Sequence, residues 1–181
     1  MTSTNAENYR ILADGTAVVA QSLTPDQWTM ASPCVGWTAA DVLDHLVDTQ
    51  RDFFAERGVA LPDRPSGDQA TVWTRHAASV AGKLSDPDID GAEFEGFFGP
   101  ATVGETLLRF YGFDMVAHRW DIARAAGIEH RFSEADLDVL DAAIAGFGDA
   151  MYAPDICAPA LPPSADADRQ TRVLALMGRR G

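Results

Sequence analysis

The sequence predicts an all-α protein, an antiparallel four-helix bundle with a short extended segment and a C-terminal extension. Apolar residues recur at helical spacing in five separate stretches of the chain. Residues that commonly cap helices precede several of these stretches, and the links between the stretches are short. Because 181 residues suffice for a substantial core, we expect one bundle domain that spans residues 1–181.

The first two helices are predicted in the N-terminal third of the chain. The first covers about residues 6–22, where apolar side chains repeat every three to four positions. The second opens at Thr38, a good N-cap residue, and Asp41 stands where a capping box needs an acceptor. It is expected to run to about Arg57, because Gly58 is a typical helix terminator.

A loop, a third helix and an extended segment follow. Prolines, a glycine and aspartates predict a loop over residues 61–68, and helical periodicity returns over residues 69–84. The pattern breaks between residues 86 and 100. There, phenylalanines interleaved with glycines favour an extended segment that packs over the bundle: Phe94, Phe97 and Phe98.

The C-terminal half contains the remaining helices. The fourth is predicted from a Thr102 cap to Ala126, where Gly127 stops it. The fifth is expected over residues 133–151, and a proline-rich tail then leads to a short helix over residues 169–177.

Charge excludes several classes of partner. The net charge of −13 argues against nucleic acid and against anionic membranes, because no basic stripe is present to bind phosphates. The N-terminus is polar, and no apolar run reaches the length of a membrane span. A cytoplasmic protein is therefore expected.

An anionic small substrate would need a positive group to bind it, supplied by a metal or by a few arginines. Arg75, Arg119 and Arg124 are candidate anion-binding residues, although solvated surface arginines are the commoner explanation.

The two cysteines do not form a recognisable framework. Cys34 and Cys157 match neither a disulfide pattern nor the spacing of a zinc finger. Cys34 lies just before a predicted helix N-terminus, where a thiolate is stabilised. A small buried residue within a turn is nevertheless the favoured interpretation.

Three polar residues on the apolar face of the fourth helix are the strongest functional signal. At 3.6 residues per turn, Asp114, His118 and Asp121 share one face with Leu107 and with other apolar residues. The arginines of this segment lie outside that face: Arg109, Arg119 and Arg124. Buried charge is expensive unless it is paired or bound to a metal.

An acid and a histidine four residues apart suit a divalent metal in a helical bundle, yet a third ligand must come from elsewhere. His130 follows a helix-ending glycine and is expected in a loop, whereas His76 and His45 lie on predicted helices. His45 is remote from the apolar face of its helix, among three aspartates. On the residues alone, a solvated surface histidine is therefore favoured over a ligand.

Two motifs make the chain resemble a known family. The segment SPCVGWTAADVLDHL at residues 32–46 resembles the PC-x-GW-x-x-x-D-x-x-x-HL segment of bacterial DinB-like proteins. It is most similar to the actinobacterial group related to the N-terminal domain of mycothiol-dependent maleylpyruvate isomerase. DMVAHRWDIAR at residues 114–124 resembles the second motif of that group, and residues 168–179 resemble its C-terminus. The resemblance covers nearly the whole chain.

The resemblance implies a set of metal ligands. By motif position these are His45, Asp114 and His118, which makes His45 a ligand after all. The isomerase has a glutamate at the position of Asp114, and aspartate is one methylene shorter. Direct ligation by Asp114 is favoured, with binding through water or orientation of His118 as alternatives. Asp121 is expected either to accept a hydrogen bond from an imidazole or a coordinated water, or to pair with Arg124.

The resemblance also implies chemistry. It suggests a divalent metal, zinc first with nickel, iron or manganese as alternatives, and a low-molecular-weight thiol, mycothiol. The expected partners are that thiol and an electrophilic small molecule, and a homodimer is an alternative to a monomer.

The favoured function is a metal-dependent thiol transferase or isomerase-like enzyme. The alternatives are a non-catalytic, stress-related metal-binding protein and a metal-free scaffold with an Asp114–His118 ion pair. The residues themselves reveal neither a thiol site nor a catalytic residue. Maleylpyruvate isomerase activity itself is not expected, because the chain lacks the length for that enzyme's second domain.

Overall fold

The computed structural model describes residues 3–153 and 156–181. The chain divides into two compact units, Met1–Glu129 and His130–Gly181, and each is described by itself. Compact units are not necessarily domains that fold alone, so the expectation of one domain over residues 1–181 stays a prediction. Pro154, part of the predicted proline-rich tail, lies outside the described residues.

The first unit is predominantly helical. Its elements, in chain order, are α1 (Asn5–Ser22), a 3-10 turn (Pro25–Thr29), α2 (Ala39–Glu56), α3 (Gln69–Leu84), α4 (Pro87–Asp90), β1 (Glu93–Gly96), β2 (Gly99–Thr102), α5 (Val103–Thr106), a π turn (Leu107–Tyr111) and α6 (Gly112–Ala125). The all-α prediction is confirmed.

Local sequence determines where the helices begin. The predicted capping box at Thr38 is present, since the Thr38 hydroxyl accepts from the backbone N–H of Asp41 and the Asp41 carboxylate accepts from that of Thr38. Ser133 and Asp136 form the same arrangement in the second unit. Such caps satisfy backbone N–H groups that a helix leaves without partners, so they can be read from a few adjacent residues.

Four long helices form the bundle. Helix α1 packs against α3 and α6, and α2 packs against α6 and α3. Paired residues show that α2 and α6 run antiparallel, because Phe53 meets Tyr111 whereas His45 meets His118. Thr16 of α1 contacts Met115 of α6, and Gln27, after α1, contacts Ala126, at the end of α6, so α1 and the turn that follows it run parallel to α6. The largest fully buried side chains of this unit include Tyr9, Leu43, Leu46, Phe54, Trp73, Leu107, Met115 and Ile122.

The segment predicted as extended is more structured than expected. It contains the short helix α4 and an antiparallel hairpin in which Gly96 pairs with Gly99. Phe94 packs on Phe53 at 5.9 Å between ring centroids, as a segment covering the bundle should. Phe97 is 81% exposed at the hairpin turn, so the expectation that it packs over the bundle is wrong. The other residue of the turn, Phe98, stacks on Phe110 with ring centroids 6.0 Å apart, so the turn makes its apolar contact through Phe98 rather than Phe97.

The fourth predicted helix is interrupted. Helix α5 and α6 are joined by the π turn at residues 107–111, which contains more residues per turn than an α-helix. The π turn therefore rotates the residues of α6 about the helix axis relative to Leu107, so their angle from Leu107 differs from that predicted at 100° per residue. The angles between residues within α6 are as predicted. Arg119, expected outside the apolar face, is 3% exposed. Its guanidinium lies where a Cβ at Gly15 of α1 would stand, so glycine there permits the close approach.

The second unit contains α7 (Glu134–Phe147), a 3-10 turn (Gly148–Tyr152) and α8 (Arg169–Leu176). Helix α7 ends four residues before the predicted Met151, and the chain tightens into the 3-10 turn after Phe147. The guanidinium of Arg169 joins α8 to α7 through three carboxylates: Glu134, Asp138 and Asp141. Nowhere in residues 3–153 or 156–181 does a helix combine the length and apolar character needed to cross a bilayer.

Candidate metal centre

The structure brings together the three residues that the family resemblance implied as ligands. His45 comes from α2, and Asp114 and His118 come from α6. One ligand atom from each residue lies within 4.8 Å of the others. His45 Nε2 is 3.8 Å from a carboxylate oxygen of Asp114, and the two imidazole centroids are 5.2 Å apart.

The packing of α2 on α6 explains this convergence. Helix α2 buries one face that carries Val42, Leu46 and Phe53. His45 stands at the edge of that face, and its side chain is 27% exposed. Asp114 and His118 are one helical turn apart, so both side chains reach the same edge of α6. A residue at the margin of an apolar face thus becomes part of a site only when a second helix supplies its neighbours.

Asp121 orients the imidazole of His118. Its carboxylate lies 2.9 Å from His118 Nδ1 and is fully buried, whereas the His118 side chain is 13% exposed. An Nδ1–H group that donates to this carboxylate leaves Nε2 as the ring nitrogen for a cation. The contact agrees with the first of the two roles expected of Asp121. The other expected partner, Arg124, is exposed.

One side of the cluster faces solvent. The side chains of His45 and Asp114 are 27% and 29% exposed, so a small ligand can reach them. The indole of Trp37 lies 5.0 Å from the His45 ring and forms a wall beside it. The site therefore combines a buried, hydrogen-bonded end at Asp121 with an accessible end at His45.

Cys34, whose favoured interpretation from the sequence is a small buried residue in a turn, also lies beside this cluster. Its sulfur lies 3.5 Å from a carboxylate oxygen of Asp121 and 3.9 Å from Nδ1 of His118. These three residues form a second group of converging donors. The residue is half-buried, in partial agreement with the favoured interpretation. The available signal was its place in the same motif as His45, eleven residues earlier in the chain.

The other polar candidates lie elsewhere. His76 is fully buried in the core, with Nε2 3.2 Å from the side-chain oxygen of Gln50, and burial lowers its pKa to about 4. Arg75 and Arg124 are exposed, which agrees with ordinary surface arginines. His130 belongs to the second unit.

The donors of the cluster fit a divalent cation. Typical metal–nitrogen and metal–oxygen distances of about 2.0–2.2 Å place two tetrahedral donors about 3.4 Å apart. The 3.8 Å between His45 Nε2 and Asp114 Oδ2 is close to that value. Two imidazoles and a carboxylate are ligands that zinc and neighbouring transition metals accept together. A tetrahedral cation held by these three donors would keep one position open to solvent or substrate.

Fold and donor set together define a helical-bundle protein with a candidate metal centre. Residues 9–123 match the family described as mycothiol maleylpyruvate isomerase N-terminal domain. Because the match covers more than half of the 181 residues, the chain belongs to this family. The family is metal-binding and mycothiol-related, which confirms the resemblance read from the two motifs.

Similar proteins extend the comparison without adding a function. Uncharacterized protein MT0763 of Mycobacterium tuberculosis (strain CDC 1551 / Oshkosh) and uncharacterized protein Rv0738 of strain ATCC 25618 / H37Rv are each 29% identical over 117 residues. The match covers 63% of this chain and 63% of each relative, so it spans less than two thirds of their length. No solved structure matches the chain significantly.

Proposed function

We propose that this protein binds one divalent cation through His45, Asp114 and His118. We propose further that it uses the cation to activate a low-molecular-weight thiol, of the mycothiol class, for transfer to an electrophilic small molecule. The observation that carries the proposal is the convergence of these three donors, from two helices, at a solvent-accessible edge of the bundle.

The chemistry follows from the donor set. A bound divalent cation lowers the pKa of a coordinated thiol, so that thiolate is present at neutral pH. His45 and His118 would supply neutral nitrogen ligands and Asp114 one negative charge, so a divalent cation with these three ligands would carry a net charge of about +1 toward an anionic thiolate. Zinc is the expected metal, because it readily accepts both imidazole and thiolate ligands.

The surrounding residues hold and screen the site. Asp121 keeps the proton of His118 on Nδ1 and so presents Nε2 to the cation. Trp37 covers one side of His45 and limits the directions from which water and substrate approach. The electrophile would enter from the exposed side of His45 and Asp114.

Removal of His45 tests the ligand set. Because Cys34 offers a competing donor beside His118, the variants are built in a Cys34→Ser background. We expect His45→Ala to weaken Zn²⁺ binding by at least about a hundredfold, since one of three ligands is lost. Isothermal titration calorimetry measures the change, and His130→Ala in the second unit is the matched control. Equal Zn²⁺ affinity in the His45→Ala and control proteins would refute the ligand set.

Thiol transfer is tested with the metal-loaded chain. Incubation with mycothiol and a panel of electrophiles is expected to yield thioether adducts faster than mycothiol alone, as measured by mass spectrometry. The His45→Ala protein is expected to lose this acceleration. If no electrophile reacts faster with the loaded protein, thiol transfer is wrong, and the chain is a metal-binding protein without this catalytic activity.

A further inference from the structure

Cys34, Asp121 and the Nδ1 edge of His118 form a donor cluster that the proposed function does not use as a binding site. We propose that these three residues bind a thiophilic divalent cation, such as Zn²⁺, at a second position that contains a cysteine thiolate. This proposal shares only His118 with the ligand set described above. It therefore stands or fails separately from the roles of His45 and Asp114.

The separations between the donors suit a metal ion. The three distances are 2.9 Å from His118 Nδ1 to Asp121, 3.5 Å from Cys34 Sγ to Asp121 and 3.9 Å from Cys34 Sγ to His118 Nδ1. With a metal–sulfur distance of about 2.3 Å and metal–nitrogen and metal–oxygen distances of about 2.0–2.2 Å, tetrahedral donors lie roughly 3.4–3.6 Å apart. The cluster is thus within about half an ångström of this geometry without backbone movement.

The turn that carries Cys34 is well defined. The backbone N–H of Ser32 donates to the carbonyl of Trp37, and that of Trp37 donates to the carbonyl of Cys34. Gly36 adopts φ +83°, a conformation that favours glycine and allows the chain to turn back within these few residues. Cys34 is held toward α6, whereas the neighbouring Val35 is 99% exposed. A donor fixed in place loses little conformational entropy when it binds a metal.

Burial and ligand type select the kind of ion. Asp121 is fully buried and Cys34 is half-buried, so a cation bound between a Cys34 thiolate and the Asp121 carboxylate would offset the repulsion between their negative charges. Sulfur and imidazole ligands prefer zinc, cobalt and similar ions over magnesium or calcium. The cluster therefore favours a thiophilic ion.

Binding of a cation at this position removes the thiol proton of Cys34 and changes the tautomer of His118. The Cys34 thiol proton leaves to solvent, and the proton of a neutral His118 moves from Nδ1 to Nε2, where it blocks the other ring nitrogen. A cation beside Cys34 and a cation between His45 and Asp114 therefore exclude each other while His118 keeps one ring proton. The chain then holds one ion at either of two positions, with His118 common to both.

Cobalt(II) binding to the full chain distinguishes the two positions. In the His45→Ala protein, Co²⁺ is expected to produce a near-ultraviolet sulfur-to-cobalt charge-transfer band that saturates at one equivalent. His45→Ala/Cys34→Ser is expected to lack the band, and His45→Ala/Cys157→Ser, the matched control with the other cysteine removed, is expected to keep it.

Each alternative outcome is decisive. If the His45→Ala protein binds Co²⁺ without the charge-transfer band, or binds no Co²⁺ while its circular dichroism spectrum remains helical, the cysteine position does not exist. Visible cobalt bands in the Cys34→Ser single variant report the His45, Asp114 and His118 position alone. Their absence would contradict the proposed function and leave the cysteine position untouched.

Discussion

The variant His118→Ala is expected to abolish stoichiometric binding of divalent metal and to destabilise the first unit. Within residues 3–153 and 156–181, His118 belongs to both groups of converging donors, so its removal takes a ligand from each of them. We expect Zn²⁺ affinity to fall by more than about a hundredfold. The alanine also leaves the fully buried Asp121 without its imidazole partner, at a cost of about 3 kcal/mol in the free energy of unfolding.

The variant His118→Asn separates these two effects. An asparagine amide takes nearly the position of Nδ1 and can donate to Asp121, yet it provides nothing in place of Nε2. We therefore expect His118→Asn to lose Zn²⁺ binding between His45 and Asp114 and to retain most of the stability that His118→Ala loses. Metal content by mass spectrometry and urea unfolding of the metal-free proteins measure the two quantities. Zn²⁺ bound stoichiometrically by His118→Ala would overturn both metal proposals.

Acidification from pH 6.5 to pH 4 is expected to destabilise the first unit by about 3 kcal/mol through His76 alone. Burial, with smaller contributions from the nearby cations Arg51 and Arg64 and an opposing one from Asp48, lowers the pKa of His76 from its ordinary 6.5 to about 4. Between these two pH values the unfolded chain binds a proton that the folded chain does not. Stability is therefore fully present above pH 6.5 and declines as the pH falls toward 4.

Urea unfolding across this pH range, monitored by the fluorescence of Trp73 and the other tryptophans, measures the effect. His76→Gln carries no charge at any pH and can still hydrogen-bond to Gln50, so we expect its stability to depend less on pH than that of the wild type. The control His130→Gln alters a histidine of the second unit. An unchanged pH dependence in His76→Gln would show that His76 titrates normally in the folded protein.

Much of the local structure could be predicted from short stretches of sequence. The starts of α2 and α7 follow from capping boxes whose partners are three residues apart, and helix ends follow from glycines. The relation between Asp114, His118 and Asp121 could also be predicted, because all three lie within the uninterrupted α6. Features of this kind depend on residues one helical turn apart, and their identities can be read directly from the sequence.

Features that depend on packing between distant segments were harder to predict. His45 looked like a surface residue from the periodicity of α2, and only the family resemblance indicated a ligand. Helix α6 packs against both α1 and α2, so more than one of its faces is buried, and periodicity counted from a single apolar face does not predict the burial of Arg119 against Gly15 of α1. The position of Cys34 beside α6 could not be predicted, since its neighbours His118 and Asp121 are 84 and 87 residues away in the chain.

The sequence by itself determined the helical class, the helix starts and the polar face of α6, because spacing and capping act over a few residues. The tertiary structure decided which side chains meet that face. The packing of α2 on α6 brings His45 to Asp114, and the turn before α2 brings Cys34 to Asp121. The physical reason is that a site of this kind needs donors from separate segments, and their separation depends on how whole helices pack rather than on any local pattern.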